Sequence, residues 1–162
     1  MAEKHLVSFS FVFLAVAVFA GQAHGSTICD KSDYPALCRS AVKGASDPES
    51  ALKAAIEHLI SETNHAKESS QTVGNLKSLS VCKQNFKDAV DDLQKSLQHL
   101  KNYDLPSLKI SLSGALTDYS TCDDAVVDNG DEKKALGVLS TDALLERLAS
   151  NCLYLASLLR LK

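Results

Sequence analysis

The chain has 162 residues, a formal net charge of −3 and only 6% aromatic residues, with no Trp and a single Met at its start. A mildly acidic balance without clustered Lys and Arg excludes the usual footprint of a nucleic-acid binder. With so few aromatics the core must be built from Leu, Ala, Val and Ile, which suits packed helices better than an aromatic-rich β-sandwich.

The N-terminus carries an export pattern. Lys4 and His5 form a short basic start, Leu6 to Ala20 is apolar apart from Ser8 and Ser10, and Ala23-His24-Gly25 places small residues where a signal peptidase reads. This predicts a signal peptide over 1–25, cleaved before Ser26. An apolar run of about 15 residues falls short of the roughly 20 needed to cross a bilayer. No later segment is apolar enough to span a membrane, so residues 26–162 are expected to be an extracellular, soluble domain with one core.

Pro35, Pro48 and Pro106 each fall at a plausible helix boundary. Residues 26–46 form a short helical or looped arm. Asp47-Pro48-Glu49 opens a helix with a capping Asp, Pro at the first helical position and an acid at the positive end. Leu52, Ile56, Leu59, Ile60 and Ala66 recur on its inner face, and the polar run from Lys67 to Gly74 blurs its end. The next helix spans about Leu79 to Leu100, with Cys82, Phe86, Ala89, Val90, Leu93, Leu97 and Leu100 in one stripe. Pro106 or Ser107 opens another, with Leu108, Leu112, Ala115, Leu116, Tyr119, Cys122 and Val126 on one face. Asp128-Asn129-Gly130-Asp131 breaks it. Ser140 or Thr141 then opens the last helix, where Leu144, Leu145, Leu148, Cys152, Leu155 and Leu159 continue to the end. Four long amphipathic helices with short connections predict an all-α, antiparallel up-down-up-down four-helix bundle over 47–162, preceded by the N-terminal arm.

Five cysteines follow the leader: Cys29, Cys38, Cys82, Cys122 and Cys152. An even set plus one spare thiol behind an export signal suggests a stapled secreted domain. Cys29 with Cys38 and Cys82 with Cys122 are candidate pairs, the second lying on the core stripes of consecutive helices. Closing its loop of about 41 residues restricts the unfolded chain by roughly 4 kcal/mol in the chain-entropy view. Cys152 lies on an apolar stripe, where a buried free thiol is the default. Pairing with another chain would require its exposure.

These residues resemble the plant pectin methylesterase inhibitors and their relatives, the invertase inhibitors. The resemblance rests on Cys29-x8-Cys38, Cys82-x39-Cys122, Leu112-Ser113-Gly114-Ala115-Leu116-Thr117, Thr121-Cys122-Asp123-Asp124 and Ser150-Asn151-Cys152-Leu153. It implies an apoplastic plant protein with an N-terminal helical hairpin closed by Cys29–Cys38 and a four-helix bundle tied by Cys82–Cys122. It also implies a non-catalytic monomer that forms a one-to-one complex over the active-site cleft of a carbohydrate enzyme. Invertase inhibitors often carry Pro-Lys-Phe before the penultimate helix. Here that segment is Asp104-Leu105-Pro106-Ser107-Leu108, which looks more like the esterase branch. Pectin methylesterase is therefore the expected partner and acid invertase the alternative. A non-inhibitory secreted binding or structural protein is the reading from another class.

Helical phase places Asp88 and Asp91, with Gln84 and Lys95 nearby, opposite the core stripe of one helix. Thr117, Thr121 and Asp124 stand opposite the core of the next. By the resemblance, Asp88, Asp91, Thr121 and Asp124 would meet the enzyme. From charge alone, the same residues read as an ordinary solvated helix face. Asp92, Asp118 and Asp123 lie nearer the sides.

Other chemistry finds no support. His58 and His65 share a helix two turns apart, with no ligand set completed between them, so neither a metal nor another cofactor is expected. There is no Gly-x-Ser-x-Gly elbow, no glycine-rich phosphate loop and no Asn-x-Ser/Thr sequon. Glu57, Glu62 and Glu68 read as a solvated face.

Overall fold

The computed structural model describes residues 27–71 and 73–160. The expected signal peptide and its cleavage point lie outside the described residues. A 3-10 turn at Thr27–Cys29 leads to α1 (Pro35–Ala41), followed by α2 (Pro48–Ser70), α3 (Lys77–Lys101), α4 (Leu105–Asp128) and α5 (Leu136–Ser157). No strand occurs among the described residues.

The helix starts follow from local chemistry. The Asp47 carboxylate accepts a hydrogen bond from the Ser50 amide at 2.9 Å, and Pro48 occupies the first turn, where a missing N–H costs no helical bond. That amide holds the Asp47 carboxyl below the usual carboxylate range. The device is repeated at α4, where Asp104 accepts from the Ser107 amide at 3.2 Å with a Pro in the first turn. After α4, Gly130 takes a φ of +65°, a left-handed conformation that suits a residue without Cβ, and its amide bonds the Val127 carbonyl.

The last helix corrects the sequence reading. It begins at Leu136, a turn before the expected Ser140 or Thr141. The hydroxyls of both those residues donate to the Gly137 carbonyl at 2.9 Å, so they lie inside the helix rather than capping it. The start is fixed by tertiary contacts. Ala135 is fully buried, its amide bonds the Asp131 carbonyl, and the buried Asp131 carboxylate accepts from Ser78 of α3 at 2.7 Å.

Helices α2 to α5 close into a ring. Each packs on its sequence neighbour, and α2 also packs on α5. Leu52, Ile56 and Leu59, Phe86 and Leu93, Leu108 and Leu112, and Leu145, Leu148 and Leu155 fill the shared core. The most extensive seam joins α3 and α4. Cys82 and Cys122 are joined across it with Cα atoms 4.3 Å apart. The Phe86 and Tyr119 rings meet at 6.4 Å, and Gly114 faces Asp92. Partner numbers fall on α4 as they rise on α3, so the pair is antiparallel.

The arm is stitched to α5. Cys29 and Cys38 form a buried disulfide. Ser150 donates to Asp33 at 3.1 Å, the Asn151 amide to the Tyr34 carbonyl at 3.1 Å, and the Tyr154 hydroxyl to the Ile28 carbonyl at 2.9 Å. Arg147 lies over the Tyr34 ring at 5.6 Å. Cys152 is fully buried and unpaired, and burial pushes its thiol up to about 12, which leaves it protonated and unreactive.

One buried polar bond crosses the core. Thr63 Oγ1 of α2 and Tyr119 Oη of α4 are 2.6 Å apart, both fully buried. Thr63 spends its single proton on the Leu59 carbonyl at 2.7 Å, so Tyr119 is the donor. Thr63→Val strands a buried tyrosine hydroxyl and should cost about 1–3 kcal/mol; Tyr119→Phe leaves Thr63 satisfied and should cost about 0.5–1.5 kcal/mol. Urea unfolding of the two variants checks that order. In the same assay Cys82→Ala with Cys122→Ala should cost roughly 4 kcal/mol, by loop length.

Candidate functional site

The outer flanks of α3 and α4 carry the polar residues singled out from the sequence. On α3, the Gln84 amide donates to both oxygens of the half-buried Asp88, at 2.9 and 3.0 Å. Lys87 donates to the exposed Asp91 at 2.9 Å and stands 3.9 Å from Asp88. That bond holds the Asp91 carboxyl below the usual range and raises the Lys87 ammonium. The acidic stripe is thus partly neutralised by its own helix. These are exposed intrahelical pairs, which a competing cation displaces at little cost.

On α4, Ile110, Ser113, Thr117, Thr121 and Asp124 recur at helical spacing, all exposed. The Thr121 hydroxyl donates to the Thr117 carbonyl at 2.8 Å, and the Thr117 hydroxyl to the Ser113 carbonyl at 3.0 Å. Their protons therefore point back along the helix, and their lone pairs remain for a partner. With the carboxylates alongside, the face offers hydrogen-bond acceptors in excess of donors. It fits a partner rich in Lys, Arg and amide groups.

The predicted residues share a face but form a strip. From the antiparallel register, Thr121 stands near the level of Gln84, and Asp91 near the level of Gly114. Asp91 and Asp124 are then roughly 15 Å apart along the helices, at 1.5 Å rise per residue. Ile110, 72% exposed, was missed by the sequence reading. Its signal was present, since it lies seven residues before Thr117 and in phase with it.

Between the two stripes lies a tight groove. A Cβ at position 114 would collide with the Asp92 carboxylate, so Gly114 lets the helices close at that point. Lys95 holds Asp92 at 2.6 Å. Asp118, half-buried in the same groove, is pushed up to about 6 by burial first, then by the charges of Asp92 and Asp88. On the α5 side of α4, burial and the charge of Asp123 push Asp142 up to about 9, and burial raises Asp123 as well.

Asp118 generates a pH prediction. Its folded pKa lies above the unfolded value, so its contribution to stability is fully present below about 3.8 and is lost as pH rises through about 6. Asp118→Asn mimics the neutral form. Its melting temperature should match the parent near pH 4 and exceed it at pH 7. Equal melting curves at both pH values would show that the groove imposes no such penalty.

Comparison with known proteins adds to this geometry. The family model described as plant invertase/pectin methylesterase inhibitor matches residues 25–155. A pectinesterase inhibitor of Actinidia deliciosa is 30% identical over 148 residues, covering 83% of this chain and 78% of that protein. A Phaseolus vulgaris protein named pectinesterase 3 is 31% identical over 117 residues, covering 61% of this chain and 20% of that protein. Two crystal structures share the fold. A mutant form of a pectin methylesterase inhibitor from Arabidopsis superposes with a TM-score of 0.69 at 19% identity, over 83% of this chain and 96% of that one. A pectin methylesterase inhibitor from Arabidopsis thaliana gives 0.62 at 18% identity, over 87% and 99%. On the extent of the family match and the identity to the Actinidia protein, this chain belongs to the plant invertase and pectin methylesterase inhibitor family.

Proposed function

We propose that this protein is a secreted inhibitor of plant pectin methylesterase, exported by a leader over 1–25 and acting in the cell wall as residues 26–162. In this reading it binds the enzyme one to one, over the active-site cleft, and so limits pectin de-esterification. The observation that carries the reading is the 30% identity to a pectinesterase inhibitor across most of both chains. The absence of Pro-Lys-Phe before α4 supports the same branch against an invertase inhibitor. No helix among the described residues is long and apolar enough to cross a membrane.

The contact surface in this proposal is the α3–α4 face. Asp88 and Asp91 exchange Gln84 and Lys87 for basic side chains at the rim of the enzyme groove. Thr121 accepts a hydrogen bond, Asp124 steers a cation, and Ile110 supplies an apolar anchor at one end of the strip. Charge pairs of this kind govern association and gain strength where the interface excludes water.

The purified, oxidised protein should inhibit a plant pectin methylesterase and leave an acid invertase active. Inhibition of invertase alone would transfer the assignment to that target, and inhibition of neither would indicate a non-inhibitory binder. Asp88→Ala with Asp91→Ala should weaken esterase inhibition by roughly tenfold or more, with far-UV helicity unchanged. Full inhibition by that folded double variant would remove these carboxylates from the contact surface.

A further inference from the structure

The seam between α4 and α5 holds a group of carboxylates that the inhibitor reading does not use. Asp142 is 0% exposed, and neither of its carboxylate oxygens meets an N–H or O–H donor among the described residues; its side chain faces the Asp123 carboxylate. Asp123 Oδ1, across the seam, is buried and equally without a donor. Glu146 lies one turn beyond Asp142, with its Oε1 accepting from Ser120 at 2.9 Å. One oxygen from each of Asp123, Asp142 and Glu146 lies within 4.8 Å of the others. No Lys, Arg or His pairs with any of the three among the described residues. A buried carboxylate without a donor is a costly arrangement, and three converging acids add mutual repulsion.

We propose that Asp123, Asp142 and Glu146 form a divalent-cation site at the α4–α5 seam, with Ca²⁺ the ion that fits. The donor set is all oxygen, which suits a hard cation and not zinc or copper. Ligands on opposite sides of an ion can stand no further apart than twice its bond length. That limit is about 4.6–5.2 Å for Ca²⁺ and about 4.0–4.2 Å for Mg²⁺. The observed range up to 4.8 Å therefore fits around calcium without movement, whereas magnesium demands a closer set. Each carboxylate can also bind through both oxygens, and the Ser120 hydroxyl, donating to Oε1, restrains Glu146. The competing arrangement is a single proton shared between Asp123 and Asp142, which satisfies that pair but leaves Glu146 out.

The site requires no target enzyme and does not rest on the inhibitor reading. The test is calorimetric titration of the oxidised, EDTA-treated protein with CaCl₂ at pH 7, with MgCl₂ in parallel and melting temperature as a second readout. The expected result is one Ca²⁺ per chain, a higher melting temperature, and weaker binding of Mg²⁺. Glu146→Gln, at a partly exposed position, should keep the fold and lower Ca²⁺ affinity by about tenfold or more. Asp142→Asn should fold without calcium and lose the calcium response; if it does not fold, Glu146→Gln decides. Absence of saturable Ca²⁺ binding and of any melting shift would overturn the site in favour of the shared proton. Calcium binding unchanged in the Glu146→Gln protein would overturn it in favour of a different location.

Discussion

Everything on the candidate face depends on the antiparallel seam between α3 and α4. The Cys82–Cys122 bond brings the two backbones to a Cα separation of 4.3 Å and fixes which residues stand level. Gly114 permits the same closeness further along, against Asp92. Once those two points are set, the rigid period of each helix places Asp88 near the level of Thr117, Asp91 near Gly114 and Thr121 near Gln84, with no further freedom. The disulfide therefore acts on the folded molecule as a register device, besides limiting the freedom of the unfolded chain.

The seam is tied to the rest of the bundle by a few buried polar bonds. Tyr119 packs on Phe86 across the seam and donates to Thr63 of α2. Ser78 of α3 donates to Asp131, which anchors the turn into α5. Asn151 and Tyr154 of α5 hold the arm through its backbone carbonyls. A core of Leu and Ala alone would pack nearly as well in shifted registers, whereas each of these bonds is satisfied in only one. Their modest individual energies and their strong positional demands go together.

The electrostatics of the two flanks of α4 differ in kind. Toward α3, carboxylates are interleaved with Lys87 and Lys95, so charge is locally compensated and available for exchange with a partner. Toward α5, Asp123, Asp142 and Glu146 converge with no Lys, Arg or His paired to them among the described residues, and burial raises the protonation of the first two. The first arrangement suits reversible recognition at a surface. The second is a concentrated negative site in a low-dielectric setting, where a proton or a metal ion must take up the charge.

Much of the fold could be read along the chain because its causes are local. The caps at Asp47 and Asp104, the apolar stripes and the break after Asp128 depend on backbone hydrogen bonding and the 3.6-residue period. The outward placement of Asp91, Thr121 and Asp124 follows from the same period. The start of α5 did not follow, because Ser140 and Thr141 look like caps, while the actual start depends on buried Ala135 and on Asp131 held by α3. Nor did the Lys87 pairing, the Thr63–Tyr119 bond or the meeting of Asp123 with Asp142. The sequence by itself determined which residues turn inward and which turn outward, since that is a property of one helix. Only the tertiary structure decided which outward or half-buried residues become neighbours, because that depends on how distant helices pack and in what register they are held.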